Sequence, residues 1–164
     1  MNEDISKKTV KLVNIEKIIN MIPHRYPMLL IDKVKVIKPF ISAIGVKKIK
    51  KKDIYFKGHF PEYPILPGVI ITEAMAQIGG ILVLSKVPDP ENYLTFFAKM
   101  DKVKFKNKVF PGDTIIFKCN LLNPVRRGVC QMKGFAFVND RLCAEAELTA
   151  QITKIKSHAT NWLV

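Results

Sequence analysis

Hydrophobic residues follow a helical period in two parts of the chain. Between Val13 and Met21 the isoleucines recur at helical spacing, and Asn14 stands where it could cap the first turn. From Val69 to Leu84 the chain is apolar on nearly every side, which is typical of a helix buried on most of its surface. This second segment is short for a membrane span and carries Glu73 and Gln77 in its middle. The pattern therefore predicts one short helix and one long buried helix.

Runs rich in Val, Ile, Phe and Thr predict strands elsewhere, over residues 29–37, 41–49, 96–105, 114–122, 129–138 and 142–155. Turn residues separate them, for example Pro111-Gly112-Asp113 and Asn139-Asp140. We expect an α+β architecture with one long helix against a mostly antiparallel sheet of five to seven strands. A single domain is expected over residues 13–156, after a flexible segment at 1–12 and before a C-terminal tail at 157–164.

Charge changes this picture by indicating an acidic partner. The 164 residues include 27 Lys and Arg against 14 Asp and Glu, a formal net charge of +13. Such an excess favours nucleic acid, an anionic membrane surface, or an acidic protein or phosphate-bearing substrate. The N-terminus lacks the pattern of a secretory signal, so a cytoplasmic location is expected.

The cysteines give no sign of a metal centre. Cys119, Cys130 and Cys143 lie far apart in apolar contexts and form no CxxC pair. We interpret them as buried free thiols in a reducing compartment. No P-loop or paired-histidine zinc pattern is present in the sequence either, so we expect neither a metal nor a nucleotide cofactor.

One region combines titratable groups with special backbone chemistry. His59 lies in a loop dense in proline and glycine, Gly68 is placed at the start of the long helix, and Glu73 follows within it. Burial should raise the pKa of the Glu73 carboxyl and suit it to a general acid, with His59 as base and helix-end N–H groups polarising a thioester carbonyl. Together these parts would eliminate water next to a carbonyl. The same residues could instead be a structural histidine and a glutamate paired with a lysine or arginine.

The other histidines are interpreted differently. His24 has no carboxylate nearby in sequence, so it is expected to be structural or to orient its loop. His158 stands in a polar tail, where no role is expected.

At these residues the chain closely resembles the FabZ-type 3-hydroxyacyl-[acyl-carrier-protein] dehydratases, over residues 15–153. The ordered motifs that carry the resemblance are PHRYPMLLID at 23–32, GHFP at 58–61, PILPGV at 64–69, EAMAQ at 73–77, KVKFKNKVFPGD at 102–113, RRG at 126–128 and AEAEL at 144–148. The resemblance implies a hot-dog fold, in which a curved antiparallel sheet wraps a long central helix. It also implies homodimers, often assembled as trimers of dimers, with no cofactor beyond the phosphopantetheine arm that carries the substrate.

The resemblance further implies roles for individual residues. His59 of one subunit would take and return the C2 proton, and Glu73 of the other would protonate the departing C3 hydroxyl. The Gly68 amide, with Val69, would hold the thioester oxygen. Gln77 would orient Glu73, or simply find a backbone partner. The reaction implied is dehydration of (3R)-3-hydroxyacyl-[acyl-carrier-protein] to the trans-2-enoyl product in type II fatty acid biosynthesis.

Some positions refine or depart from the family pattern. The related dehydratase-isomerases have aspartate where this chain has Glu73, which favours plain dehydration. Tyr63 could narrow or gate the entrance, and Lys99 stands where glycine is common, which leaves a local bulge in question. Phe96 and Phe97 could line an acyl tunnel or belong to the core.

The resemblance supplies the acidic partner, because acyl carrier protein is small and strongly negative. We expect a basic rim at the tunnel mouth, formed by Lys102, Lys104, Lys106, Arg126 and Arg127. Two other hypotheses stay open: a hot-dog thioesterase or hydratase acting on coenzyme A esters, and a nucleic-acid-binding module suggested by charge alone.

Overall fold

A computed structural model describes residues 11–155 of the chain. It contains two α-helices, α1 (Ile15–Met21) and α2 (Gly68–Leu84). Short 3-10 helices span Ile54–Lys57 and Pro90–Asn92. The strands are β1 (Lys11–Val13), β2 (Lys33–Lys38), β3 (Ser42–Lys48), β4 (Tyr93–Phe105), β5 (Thr114–Leu121), β6 (Val129–Val138) and β7 (Arg141–Lys154).

All seven described strands form one antiparallel sheet in the order β1-β2-β3-β5-β6-β7-β4. β4 therefore pairs with β7 and stands at one edge of the sheet. Side chains alternate between a buried and a more exposed face, as in β6. The buried face wraps around α2, so the expected α+β architecture with a central helix is confirmed.

Glycines let the sheet approach α2 closely. A Cβ on Gly45 of β3 would collide with the side chain of Ile78, and a Cβ on Gly134 of β6 would lie 2.8 Å from the Met75 sulfur. Met75 and Ile78 are fully buried on α2. These close contacts hold the helix axis near the strands, which fixes the position of residues 68–77 relative to the sheet.

The predicted elements agree with the structure except near strand ends. Asn14 caps α1 by accepting a hydrogen bond from the Lys17 N–H at 3.2 Å. The strand predicted from residue 29 begins only at Lys33, because the Leu30 N–H bonds the Gln77 side chain and not a neighbouring strand. Lys11 and Leu12, assigned from sequence to a flexible segment, instead form β1 by pairing with β2. Residues 1–10 and the predicted tail at 157–164 lie outside the described residues.

Several local predictions can be compared with the backbone. Asn139 and Asp140 both have positive φ, as a two-residue hairpin turn between β6 and β7 requires. The register of β4 against β7 shifts between Phe97 and Lys99, so a bulge forms although lysine occupies that position. The three cysteines are buried and free. Over residues 11–155, no helix is long and apolar enough to cross a membrane.

Candidate active site

His59 lies in the loop before α2, and one of its ring nitrogens is engaged in a hydrogen bond. Its Nδ1 lies 3.0 Å from the carbonyl oxygen of Ile65. Because a carbonyl can only accept, Nδ1 carries the hydrogen and Nε2 keeps its lone pair. The ring stacks on Phe60 with centroids 4.1 Å apart. The arrangement gives an oriented imidazole whose Nε2 can act as a base.

The N-terminus of α2 opens into the same cavity as His59. The helix begins at Gly68, and its first backbone bond runs from the Ile70 N–H to the Pro67 carbonyl at 3.0 Å. The N–H groups of Gly68 and Val69 precede that bond and can donate to a ligand. A Cβ on Gly68 would lie 2.7 Å from the ring of Phe105, so only glycine fits under that ring without displacing it. The cavity is also lined by Lys106 and Lys108.

Glu73 lies in a second cavity, which is mainly apolar. Its lining includes Phe96 and Phe97 of β4, Met132 of β6 and Leu148 of β7. The Glu73 side chain is 22% exposed. The lining therefore places a carboxyl group beside apolar side chains.

Gln77 joins Glu73 to the backbone of the loop after α1. Its Nε2 donates to Glu73 Oε1 at 3.0 Å and to the Met28 carbonyl at 2.8 Å, while its Oε1 accepts from the Leu30 N–H at 3.0 Å. Gln77 thus contacts the Glu73 carboxyl and also satisfies backbone groups, so its two interpretations are compatible, and its role in orienting Glu73 stays a prediction. Its side chain is buried, and these contacts fix its amide.

His24 is the residue that sequence reasoning missed. Its Nε2 lies 3.3 Å from Glu73 Oε1, although 49 positions separate the two residues along the chain. Sequence distance gave no signal of this contact; the only hint is that His24 belongs to the PHRYP motif quoted above. The interpretation of His24 as structural or loop-orienting did not anticipate this contact with the carboxyl.

The predicted raised pKa of Glu73 is wrong for the chain as described. Burial is the largest single influence on this pKa, and it raises it. Hydrogen bonds from His24 and Gln77 and the charge interaction with His24 together lower the pKa by more than burial raises it. The net result is a pKa below the usual value for glutamate. The sequence argument counted desolvation without the donors that the fold brings to the carboxylate.

His59 and Glu73 line different cavities within one chain. Within a single chain the two groups therefore do not share a cavity. Large apolar side chains are nevertheless exposed around both cavities: Phe60, Val69, Phe96, Phe97, Met100 and Phe105. An exposed apolar surface of this kind is typical of a protein interface.

Tyr63 and the two phenylalanines occupy different places. Phe96 and Phe97 line the cavity of Glu73, and their interpretation as the lining of an acyl tunnel stays a prediction. Tyr63 lines neither cavity within the described part of the chain. Its ring packs edge-on against Phe110 with centroids 6.1 Å apart, and its hydroxyl lies 3.4 Å from Lys108 Nζ, so it stands beside the His59 cavity.

The five basic residues predicted to form one rim fall into two groups. Lys102 pairs with Glu147 at 3.0 Å, and Lys104 and Lys106 lie 3.9 and 3.4 Å from Glu145. Arg126 and Arg127 lie before β6, where Gln151 Nε2 donates to the Arg127 carbonyl at 3.2 Å. Glu145 and Gln151 are six residues apart on β7, about 20 Å in an extended strand. One chain therefore does not gather all five into one rim.

Residues 11–155 contain no candidate metal-binding site. No group of three or more His, Cys, Asp or Glu side chains there could hold an ion. Burial raises the pKa of the Cys119 thiol to about 12, which keeps it protonated.

Comparison with solved structures defines the fold class. The dehydratase heterocomplex ApeI:P from Xenorhabdus doucetiae matches with a TM-score of 0.54 at 20% identity, covering 68% of this chain and 88% of the other. A hypothetical thioesterase crystallised with coenzyme A from Streptococcus pneumoniae matches with a TM-score of 0.55 at 13% identity, covering 85% and 93%. The chain has the hot-dog fold that these proteins share.

Sequence comparison places the chain within that class. A family model described as the FabA-like domain matches residues 22–147. The 3-hydroxyacyl-[acyl-carrier-protein] dehydratase FabZ of Nitratidesulfovibrio vulgaris is 41% identical over 143 residues, covering 87% of this chain and 92% of that protein. The bifunctional enzyme LpxC/FabZ of Bacteroides thetaiotaomicron is 50% identical over 146 residues, which are 88% of this chain but 31% of that protein.

The chain belongs to the FabA-like domain family and, within it, to the FabZ-type dehydratases. It spans about a third of the length of the bifunctional relatives that it matches.

Proposed function

We propose that the protein dehydrates (3R)-3-hydroxyacyl-[acyl-carrier-protein] to the trans-2-enoyl thioester in type II fatty acid biosynthesis, in the cytoplasm. The observation that carries the proposal is an oriented imidazole beside helix-end donors, in a chain 41% identical to a named dehydratase. The substrate brings its own phosphopantetheine arm, so the chemistry needs only protein side chains and main-chain donors.

His59 starts the reaction by removing the proton from C2. Its Nε2 is the free nitrogen, because Nδ1–H is held by the Ile65 carbonyl. The electrons left at C2 spread onto the thioester oxygen as an enolate-like charge. The N–H groups of Gly68 and Val69 donate to that oxygen and stabilise the charge as it develops.

Glu73 completes the elimination by giving its proton to the C3 hydroxyl, which departs as water. Glu73 must be protonated to do this, whereas hydrogen bonds from His24 and Gln77 lower its pKa. An acyl chain in that cavity would displace water and strengthen desolvation, which already raises the pKa. Substrate binding thus moves the carboxyl toward the protonated form that the reaction needs.

The complete site requires two subunits, with His59 from one and Glu73 from the other. Support comes from the separate cavities of the two residues and from the exposed apolar side chains between them. β4 stands at the sheet edge with Phe96, Met100 and Phe105 exposed, so a second copy can cover it. Homodimers, assembled as trimers of dimers, are the proposed form.

Subunit complementation tests this arrangement. His59→Ala and Glu73→Gln should each lower kcat by about 1000-fold or more while the variants stay folded by circular dichroism. Unfolding and refolding an equal mixture of the two variants should restore about a quarter of wild-type activity, since half the dimers are mixed and each mixed dimer has one intact site. Absorbance of the 2-enoyl thioester measures the reaction, and a free-thiol assay detects hydrolysis.

The outcomes separate the competing functions. Activity that returns on mixing supports a composite site, and variants that stay inactive together would show that both residues act within one chain. Release of free thiol without an enoyl signal would favour the thioesterase hypothesis. Refolded wild type and a refolded mixture of wild type with Glu62→Gln are the controls, because Glu62 is exposed and lines neither cavity.

A further inference from the structure

Two donors converge on one oxygen of Glu73. Gln77 Nε2 lies 3.0 Å from Oε1, and His24 Nε2 lies 3.3 Å from the same atom. The other oxygen, Oε2, has no hydrogen-bond partner within residues 11–155. The carboxyl is thus asymmetric: Oε1 is held and Oε2 is left for a ligand.

The surroundings of His24 determine which of its nitrogens carries the hydrogen. Nδ1 is buried and has no hydrogen-bond partner among the described residues. A hydrogen on that atom would be a buried donor without an acceptor, which is costly. The tautomer with hydrogen on Nε2 avoids this and lets His24 donate to Glu73. His24 accordingly donates from Nε2 to Oε1 of Glu73, and the Arg25 guanidinium braces the loop by donating to the His24 carbonyl at 2.8 Å.

We infer that His24 is a positioning residue for Glu73: with Gln77 it binds Oε1 and so assigns Oε2 as the oxygen that delivers the proton to the departing hydroxyl. This inference rests on the proposed function, because it gives a role to a residue that contacts the proton donor. It goes beyond that function by adding a residue from the loop after α1 to the catalytic machinery.

The two donors explain how precise placement and proton transfer are linked. Each bond to Oε1 restricts rotation of the carboxyl and leaves Oε2 as the oxygen without a partner among the described residues. Each bond also favours the ionised form of Glu73. Loss of the His24 donor should therefore raise the pKa of Glu73 and also loosen its orientation. The other titratable side chain of this cavity is Cys130 on β6, whose pKa burial raises, so it stays neutral.

A matched pair of substitutions isolates the donor. Glutamine can place an N–H near the position of Nε2, whereas asparagine reaches only the position of Nδ1. His24→Asn should lower kcat on the order of 10- to 100-fold with little change in KM. His24→Gln should stay within about threefold of wild type. Measurements use the assembled enzyme, with circular dichroism and size-exclusion chromatography to verify fold and assembly.

The pH profile supplies a readout that a structural role would not move. Rate falls as pH rises through the pKa of Glu73, because the acid must be protonated. In His24→Asn this alkaline limb should move to higher pH, and in His24→Gln it should stay near the wild-type position. Unchanged kcat and limb position in His24→Asn, or equal damage in both variants, would overturn the inference.

Failure of this inference can be told from failure of the proposed function. If Glu73→Gln abolishes dehydration while His24→Asn is normal, only the role of His24 is lost. If Glu73→Gln is itself active, the proposed function fails and the role of His24 fails with it.

Discussion

The two cavities of the chain contrast in charge, although apolar side chains line most of both. The His59 cavity is formed at a helix N-terminus, with Lys106 and Lys108 along its wall. The Glu73 cavity is lined largely by apolar groups from β4, β6 and β7. A carrier-bound substrate has the same two ends, an anionic arm and an apolar acyl chain. If the proposed function holds, we expect each cavity to receive one end, with the reacting carbons between them.

Among changes that leave His59 and Glu73 in place, filling the apolar cavity should give the largest and most selective effect. Ala150 lines it and pairs with Phe97 on β4 and Cys130 on β6. Ala150→Leu places a branched side chain where the acyl chain would lie. We expect kcat/KM for 3-hydroxydecanoyl substrate to fall about 100-fold, because excluded methylene groups lose their binding energy, with 3-hydroxybutyryl substrate much less affected.

Thr149→Leu is the matched control, since Thr149 precedes Ala150 on β7 and alternation turns it to the opposite face. It should leave the chain-length preference as it is in wild type. Equal losses for both substrates in Ala150→Leu would contradict the assignment of this cavity to the acyl chain.

A smaller effect on kcat is expected from a substitution at Gly68, the N-terminus of α2. In Gly68→Ala the new methyl group would meet the Phe105 ring at 2.7 to 2.9 Å, and this ring can turn away because Phe105 is exposed. We expect kcat to fall about tenfold for every chain length, because the thioester oxygen shifts relative to its N–H donors. Steady-state kinetics on the same two substrates checks this. The methyl group of Gly58→Ala meets nothing within 4 Å, so this variant is the control. An equal loss of kcat in Gly58→Ala would contradict the assignment of the effect to the N-terminus of α2.

The fold could be predicted largely from the sequence because burial is periodic. The apolar run at 69–84 has no polar face, and it forms the central helix. Burial alternates along β5 and β6, and the predicted bounds of β5, β6 and β7 agree with the structure to within a few residues. Prediction was poorest where side chains replace strand pairing, as at Leu30, whose N–H bonds Gln77.

The site was predicted less completely, for a physical reason. His59, Gly68 and Glu73 could be chosen from residue chemistry near one loop and one helix. The contact of His24 with Glu73 depends on how the loop after α1 folds over α2, which periodicity does not encode. The pKa direction of Glu73 depends on the same contact, so missing His24 also reversed that prediction.

The basic wall of the His59 cavity gives the smallest and most salt-dependent effect. Lys106 is 47% exposed, and Lys108 lies over the Tyr63 ring with its nitrogen 5.0 Å from the centroid. Exposed charges at a cavity mouth accelerate encounter with an anionic partner but add little to the chemical step. The double change Lys106→Glu and Lys108→Glu should lower kcat/KM about fivefold at low ionic strength and leave kcat unaltered.

Arg126→Glu with Arg127→Glu makes the same change in charge at the other group of basic residues, about 20 Å away along the sheet. If the carrier docks at the His59 cavity, this second pair should have the weaker effect, and the difference should vanish at about 0.5 M salt as screening shortens the reach of the charges. Equal losses from both pairs would mean that assembly gathers the five basic residues predicted from sequence into one rim. If kcat/KM of both double variants did not change with salt concentration, the electrostatic argument for an acidic carrier would fail. The apolar cavity would then be the remaining support for the proposed substrate.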